Sequence, residues 1–186
     1  MKKRRILITD RLLLRPFKLS DAKSVQQKAG TKEIANTTLN IPHPYPDGAA
    51  EKWISTHQPK FESGELINYA ITLKETRELI GAVGLVVTKR FNHAELGYWI
   101  DKNRWGNGYA TEAAKALLDY GFNTHGLHKI FAEHITRNPA SGKVMKKLGM
   151  KKEGVLKEHV QKSNRYEDIV MYGILKVEWN KNKRAK

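Results

Sequence analysis

Two hydrophobic periods run along this chain. Short runs with β-branched or aromatic content, spaced as strands are, occupy "INYAITLK" (67–74), "ELIGAVGLVVTK" (78–89) and "HAELGYWID" (93–101), with "ETR" as a hairpin turn between the first two. Residues 107–123 instead place Ala110, Ala113, Ala114, Leu117, Leu118 and Gly121 on one face at helical spacing. Upstream, "ILITDRLLLRPF" (6–17) predicts a strand with a kink. "LSDAKSVQQKAG" (19–30) predicts a helix that Ser20 or Asp21 can cap and Gly30 can end. "NIPHPYPDG" (40–48), with three prolines, is a loop, and "AAEKWISTHQPKFESG" (49–64) is a helix broken near Pro59. Downstream, "HKIFAEHIT" (128–136) is a strand. "NPASGKVMKKLG" (138–149) is a short helix capped by Asn138, with Pro139 in its first turn and Gly149 at its end. "GVLKEHVQK" (154–162) and "YEDIVMYGILK" (166–176) close the chain as an antiparallel pair. The order predicts an α+β chain: a mostly antiparallel mixed sheet with helices on both faces, in one domain over 1–186.

Composition narrows the function classes. With no cysteine there is no disulfide, thiolate metal site or cysteine nucleophile. No apolar run spans a bilayer, and the apolar stretch after "MKKRR" is too short for a signal peptide, so a cytoplasmic protein is expected. The net charge of +15 divides between basic tails at 1–5 and 181–186 and the segment 138–165, which holds eight Lys and Arg against two Glu. The tails read as solvated ends; the sharper reading is weak attraction to a polyanion such as RNA or the ribosome. The internal cluster suits an anionic ligand.

The turn "RWGNGYATEA" (104–113) is the most informative stretch. A helix N-terminus leaves N–H groups unpaired at its positive dipole end, and Gly106 and Gly108 clear the side chains that would keep an anion away. The turn therefore reads as a backbone cradle for a pyrophosphate. It fits neither G-x-x-x-x-G-K-[ST] nor the dinucleotide fingerprint. A second capped helix at Asn138 follows directly on a strand, with Ser141, Lys143, Lys146 and Lys147 on or near it. A pyrophosphate on the first helix and a further phosphate near these lysines is the charge layout of coenzyme A. The histidines form no metal set, and no metal is expected.

Together, "TDRLLLRPFKLSDA", "AELGYWI", "WGNGYATEA" and "NPASGKVMKKLGMKKEG" resemble the GNAT acyl-CoA N-acyltransferases, and within them the Rim-type ribosomal-protein N-terminal acetyltransferases. The stretches span residues 9–154. Trp105 stands where the broad superfamily usually has Gln or Arg, but Trp is familiar in the Rim-type branch. The resemblance implies the GNAT fold, with its central sheet splayed at the cofactor site. It implies that acetyl-CoA is the co-substrate, held by the backbone of Trp105, Gly106, Asn107, Gly108, Tyr109 and Ala110. It further implies that the pantetheine arm pairs near Ile100 and Asp101, that Asn138 contacts the cofactor, that Ser141 lies near the thioester sulfur, and that the protein is a homodimer.

Acetyl transfer to an amine needs a neutral amine, a stabilised oxyanion and a proton for the leaving thiolate. Neutralising an α-amine at pH 7 costs roughly 1–1.4 kcal/mol, and a lysine amine roughly 4.6 kcal/mol. Glu95, which shares a strand face with Gly97 and Trp99, is the candidate base; His93 is the alternative. Ser141 is preferred over Tyr172 as the proton donor, and the N–H near Ile100 polarises the carbonyl. His43 and Tyr45 border the acceptor groove. Trp53 is assigned to the core, and Glu112 to the helix dipole. The expected acceptor is a protein N-terminus, perhaps that of a ribosomal protein. The alternatives are a small amine (a polyamine, an antibiotic or an amino acid) and a ribosome- or RNA-associated binding protein without turnover. The basic surface argues against strongly cationic acceptors.

Overall fold

A computed structural model describes residues 4–162 and 164–184. Met1–Lys3 of the basic N-terminal tail, and Ala185 and Lys186 of the C-terminal one, lie outside the described residues. Eight strands form one sheet: β1 (Leu7–Ile8), β2 (Leu12–Arg15), β3 (Leu66–Leu73), β4 (Leu79–Thr88), β5 (His93–Ile100), β6 (Lys129–Ile135), β7 (Lys151–Lys162) and β8 (Arg165–Leu175). Their order is β1-β2-β3-β4-β5-β6-β8-β7, and only β5 and β6 pair in parallel. The helices are α1 (Ala22–Ala29), α2 (Lys32–Thr37), α3 (Ala49–Ser55), α4 (His57–Glu62), α5 (Tyr109–Asn123), α6 (Pro139–Lys147) and α7 (Lys176–Arg184). This is the architecture expected from the sequence: a mixed sheet with helices on both faces.

Strand alternation divides the core in two. In the register Ala70↔Ala82↔Trp99, three side chains face one side and pack with Val25, Ala29 and Ala50 of α1 and α3. In the next register, Tyr69↔Val83↔Tyr98, the side chains face the other way, toward Ala113, Ala114, Leu117 and Leu118 of α5. Leu117, Leu118 and Phe122 are fully buried, and each such side chain contributes about 1.5–3 kcal/mol.

Three expectations change. The kinked strand at 6–17 is a small hairpin, in which β1 folds back on β2 through Leu7↔Leu14 and Ile8↔Leu13. The second helix breaks at Thr56 rather than at Pro59, which sits in the first turn of α4, where a missing N–H is harmless. The tails are not merely solvated. Arg4 is buried, donating to the Asn68 carbonyl oxygen at 3.2 Å and to Gln58 Oε1 at 3.2 Å. Residues 181–184 are the last turn of α7, whose Trp179 is buried against Phe122 and donates to Asp119 Oδ1 at 3.2 Å.

His57 gives the fold a pH signature. It is buried between Phe17 and Trp53, and its Nε2 accepts from Asn68 Nδ2 at 3.0 Å. Burial, and then the charges of Arg4 and Lys60, lower its pKa to about 4. The unfolded chain protonates this group near 6.5, so it binds more protons than the folded chain between those values. Stability is therefore expected to fall as the pH drops from about 6.5 toward 4, by at most about 3 kcal/mol from this group. Denaturant unfolding at pH 7 and pH 5 should show this loss in the wild type. His57→Gln, which keeps an acceptor for Asn68 without a proton to gain, should show little of it.

Candidate active site

The β5–β6 ladder lasts only three residues: His93↔Lys129, Ala94↔Ile130 and Glu95↔Phe131. Beyond Glu95 the strands part, and β6 continues only with β8. The edge of Leu96–Ile100 that faces away from β4 thus has no strand partner. Asp101 N–H donates to Ile80 O of β4 at 2.8 Å. Because neighbouring residues of a strand send their backbone groups to opposite sides, the Ile100 N–H points away from β4, into the splay. The Ile100 carbonyl oxygen accepts from the Trp105 indole at 2.7 Å.

The turn after β5 is held from behind. Asp101 is buried, caps a 3₁₀ turn at Lys102–Arg104 through Asn103 N–H and pairs with Lys28 at 3.0 Å. Lys28 also meets Glu78 at 2.6 Å, and Glu78 meets Arg104 at 2.6 Å. Burial works against the Lys28 ammonium, but its two carboxylates outweigh it and hold its pKa above the ordinary value. Asn107 Nδ2 donates to the Arg104 and Trp105 carbonyl oxygens at 3.1 and 3.0 Å. Gly106 and Gly108 both take φ +79°, a left-handed backbone that side-chain-bearing residues resist. A Cβ on Gly106 would meet nothing within 4 Å, so conformation, not crowding by the protein, demands that glycine. From Gly106 to Thr111, no backbone N–H has an acceptor among the described residues. Free donors at the start of the fifteen-residue α5 fit a pyrophosphate.

On the far side of the splay, α6 presents its own start. Asn138 Oδ1 accepts from Ser141 N–H at 3.3 Å, and its Nδ2 donates to Thr37 O at 2.9 Å and more weakly to Ser141 Oγ at 3.4 Å. Both ends of this amide are engaged within the protein. Asn138 therefore ties α6 to the end of α2. Tyr98 crosses from β5, its hydroxyl 3.3 Å from Ser141 Oγ and 3.3 Å from Ser141 O. Burial pushes the Tyr98 pKa up to about 12, so it remains a proton donor at neutral pH.

A cavity of about 530 Å³ opens at the splay, and Glu95, Gly97, Tyr98, Ser141, Glu133 and Tyr45 are among its walls; the turn from Trp105 to Ala110 is not. Burial, and then the charge of Glu133, raise the Glu95 pKa above the ordinary carboxylate value. A larger groove of about 950 Å³ runs along the outer side of α5 and reaches Gly108, but it holds none of Glu95, Tyr98 and Ser141.

The expected site residues thus divide. Glu95, Ser141 and Tyr45 line one cavity at the splay, whereas the turn from Trp105 to Ala110 and Ile100 lie outside its wall, and Gly108 borders the groove along α5 instead. Asp101 is an internal clamp. Lys143 is exposed on α6. His43 is exposed, its Nδ1 donates to Gly30 O at 2.7 Å, and it is not part of the cavity wall. His93 packs between Phe91 and Phe131, and Tyr172 is buried against His134. Glu112 accepts from Thr9 at 2.6 Å and from Arg11 at 2.7 Å; burial raises its pKa, but these bonds outweigh it and hold it low. No group of three His, Cys, Asp or Glu among the described residues could hold a metal. Tyr98 was missed, although alternation with Leu96 and Ile100 marks it as the residue facing opposite to Glu95.

The Acetyltransferase (GNAT) domain family matches residues 11–151. The chain belongs to this family. As a GNAT acetyltransferase it is an enzyme that uses acetyl-CoA. It is 34% identical over 175 residues to an uncharacterized N-acetyltransferase, p20, of Bacillus licheniformis, covering 93% of this chain and 97% of that one. It is 27% identical over 139 residues to the [ribosomal protein uS5]-alanine N-acetyltransferase of Escherichia coli K12, covering 74% and 71% of the two chains. Its fold superposes with a TM-score of 0.84 on RimL, a ribosomal L7/L12 alpha-N-protein acetyltransferase solved with coenzyme A, at 19% identity over 92% of this GNAT chain and 98% of that one.

The glycine turn makes a direct prediction. Gly108→Asn keeps a residue that tolerates the left-handed backbone, whereas Gly108→Asp adds a carboxylate in the same shape. Calorimetric titration with acetyl-CoA should show tenfold or more weakening in the Asp variant relative to the Asn variant. Equal affinities would remove the turn from the pyrophosphate site.

Proposed function

We propose that this GNAT enzyme transfers the acetyl group directly to the α-amine at a protein N-terminus, such as that of a ribosomal protein. What supports the reading is the opening between β5 and β6: Glu95 and Ser141 line the cavity there, and the turn with free N–H groups follows directly on β5. The acetylated ribosomal protein named for the relative at 27% identity supports the acceptor class.

Acetyl-CoA supplies the activated thioester; the chain supplies position and protons. The free N–H groups of Gly106–Thr111 hold the pyrophosphate. The Ile100 N–H, on the unpaired edge, donates to the carbonyl oxygen as negative charge develops there. Glu95 takes the proton from the ammonium form of the acceptor. Its raised pKa narrows the gap to an α-amine near 8, while a lysine amine near 10.4 stays farther out of reach. Tyr98, hydrogen-bonded to Ser141 whose Oγ orients it, gives a proton to the departing sulfur, and the second proton that the nitrogen sheds as the tetrahedral intermediate collapses restores the tyrosine hydroxyl. No residue is acylated along this route.

A panel of peptides tests the acceptor. Peptides with a free N-terminus should be acetylated with higher kcat/KM than N-terminally blocked peptides carrying one lysine. Glu95→Gln should lower kcat by about 10²–10⁴-fold, the range of a lost general base, while leaving acetyl-CoA affinity intact. The acid limb of the wild-type pH–rate profile should lie above the usual glutamate pKa and vanish in Glu95→Gln. Preference for the blocked lysine peptides, or full activity in the Gln variant, would overturn the assignment.

A further inference from the structure

The wall of the acceptor cavity is electrically opposite to the rest of the chain. The sequence holds 34 Lys and Arg against 19 Asp and Glu. No Lys or Arg lines this cavity, whereas Glu95 and Glu133 do. Other buried or half-buried carboxylates among the described residues have donors. Asp21 takes Arg15, Glu78 and Asp101 share Lys28, Glu167 takes Arg137, and Asp168 accepts from Glu158 N–H. Glu112, Asp119 and Glu178 are likewise held by Arg11, Lys183 and Lys151. Glu95 and Glu133 have neither an ion pair nor a hydrogen bond among the described residues.

Register brings the two together. Glu95 sits opposite Phe131 in the last rung of the parallel ladder, and Glu133 lies two residues farther on the same face of β6, where the strands part. His134, the next residue of β6, faces the other side of the sheet, where its Nδ1 donates to Ile135 O at 2.8 Å and its ring packs against Gly142 of α6. Two carboxylates thus stand at one cavity without donors from the protein. Half-buried carboxylates without donors lose solvation and repel each other, and a ligand carrying positive N–H groups relieves both.

We infer that the acceptor carries a second positive group close to the amine that is acetylated, and that Glu133 holds this second charge while Glu95 deprotonates the first. This rests on the reading of the cavity as the acceptor site. The net charge of +15 repels cations at long range, but salt screens that field within about 8–10 Å, so the cavity wall decides at contact. Two sources share this chemistry: a protein N-terminus whose second residue is Lys or Arg, and a short aliphatic diamine.

The test compares kcat/KM within matched pairs: Ala-Lys against Ala-Gln peptides, and 1,4-diaminobutane against 1-aminobutane. Wild type, Glu133→Gln and Glu133→Lys are each measured, with acetyl-CoA titration as the check of folding. The dicationic member should be favoured at least about tenfold in one of the pairs, the scale of a hydrogen bond to a charged group. The pair that shows the preference identifies the source. That ratio should fall toward one in Glu133→Gln, and Glu133→Lys should instead favour an Ala-Glu peptide. A wild-type ratio near one in both pairs, or a preference that survives Glu133→Gln, would overturn the inference. Acetylation of all acceptors alike would remove only this inference; acetylation of none would remove the acceptor-site reading as well.

Discussion

Beyond Glu95, β5 has a neighbour on one side only, and most of the site follows from that unpaired edge. Backbone donors and acceptors inside a protein must be satisfied. The edge uses Trp105 to occupy one carbonyl and leaves the Ile100 N–H without a partner among the described residues. The same opening lets α6 present Ser141 to the cavity that Glu95 lines. Had β5 and β6 stayed paired to their ends, Tyr98 could not reach Ser141, and the turn at Gly106 and Gly108 would face a closed sheet. The proposed chemistry therefore depends on a local failure of strand pairing.

Keeping that failure local takes support from behind. Lys28, Glu78, Asp101 and Arg104 lock the turn to α1 and to the β3–β4 hairpin, with every charge in a short pair. Asn138 does the corresponding work for α6 by holding Thr37. In front, the chain does the reverse and leaves carboxylates unpaired. The contrast between satisfied charges behind the turn and unsatisfied ones across the cavity separates scaffold from reaction space, and net charge alone hides it.

Much of this was legible in the sequence. The small-residue stripe of α5, the two-glycine turn and the capped helix at Asn138 are local signals, because their φ angles, caps and spacing depend on a few neighbouring residues. The roles of single polar residues were not local. Asp101 and Asn138 sit where cofactor contacts are expected, but their partners, Lys28 and Thr37, are far away in the chain. Tyr98 and Glu133 could be placed on strand faces by alternation, yet which neighbour they meet depends on the β5–β6 register and on where it ends. The helix α7 was hidden because its sequence is almost entirely polar, and only Trp179 reports that it docks.

Amide hydrogen exchange, read at single residues with and without saturating coenzyme A, tests the unpaired edge and the turn together. Slowed exchange is expected at Ile100 and through Gly106–Thr111, where free N–H groups gain acceptors. Protection confined to the outer groove along α5, with no change at Ile100 or the glycine turn, would contradict the splayed strands as the place where the cofactor binds.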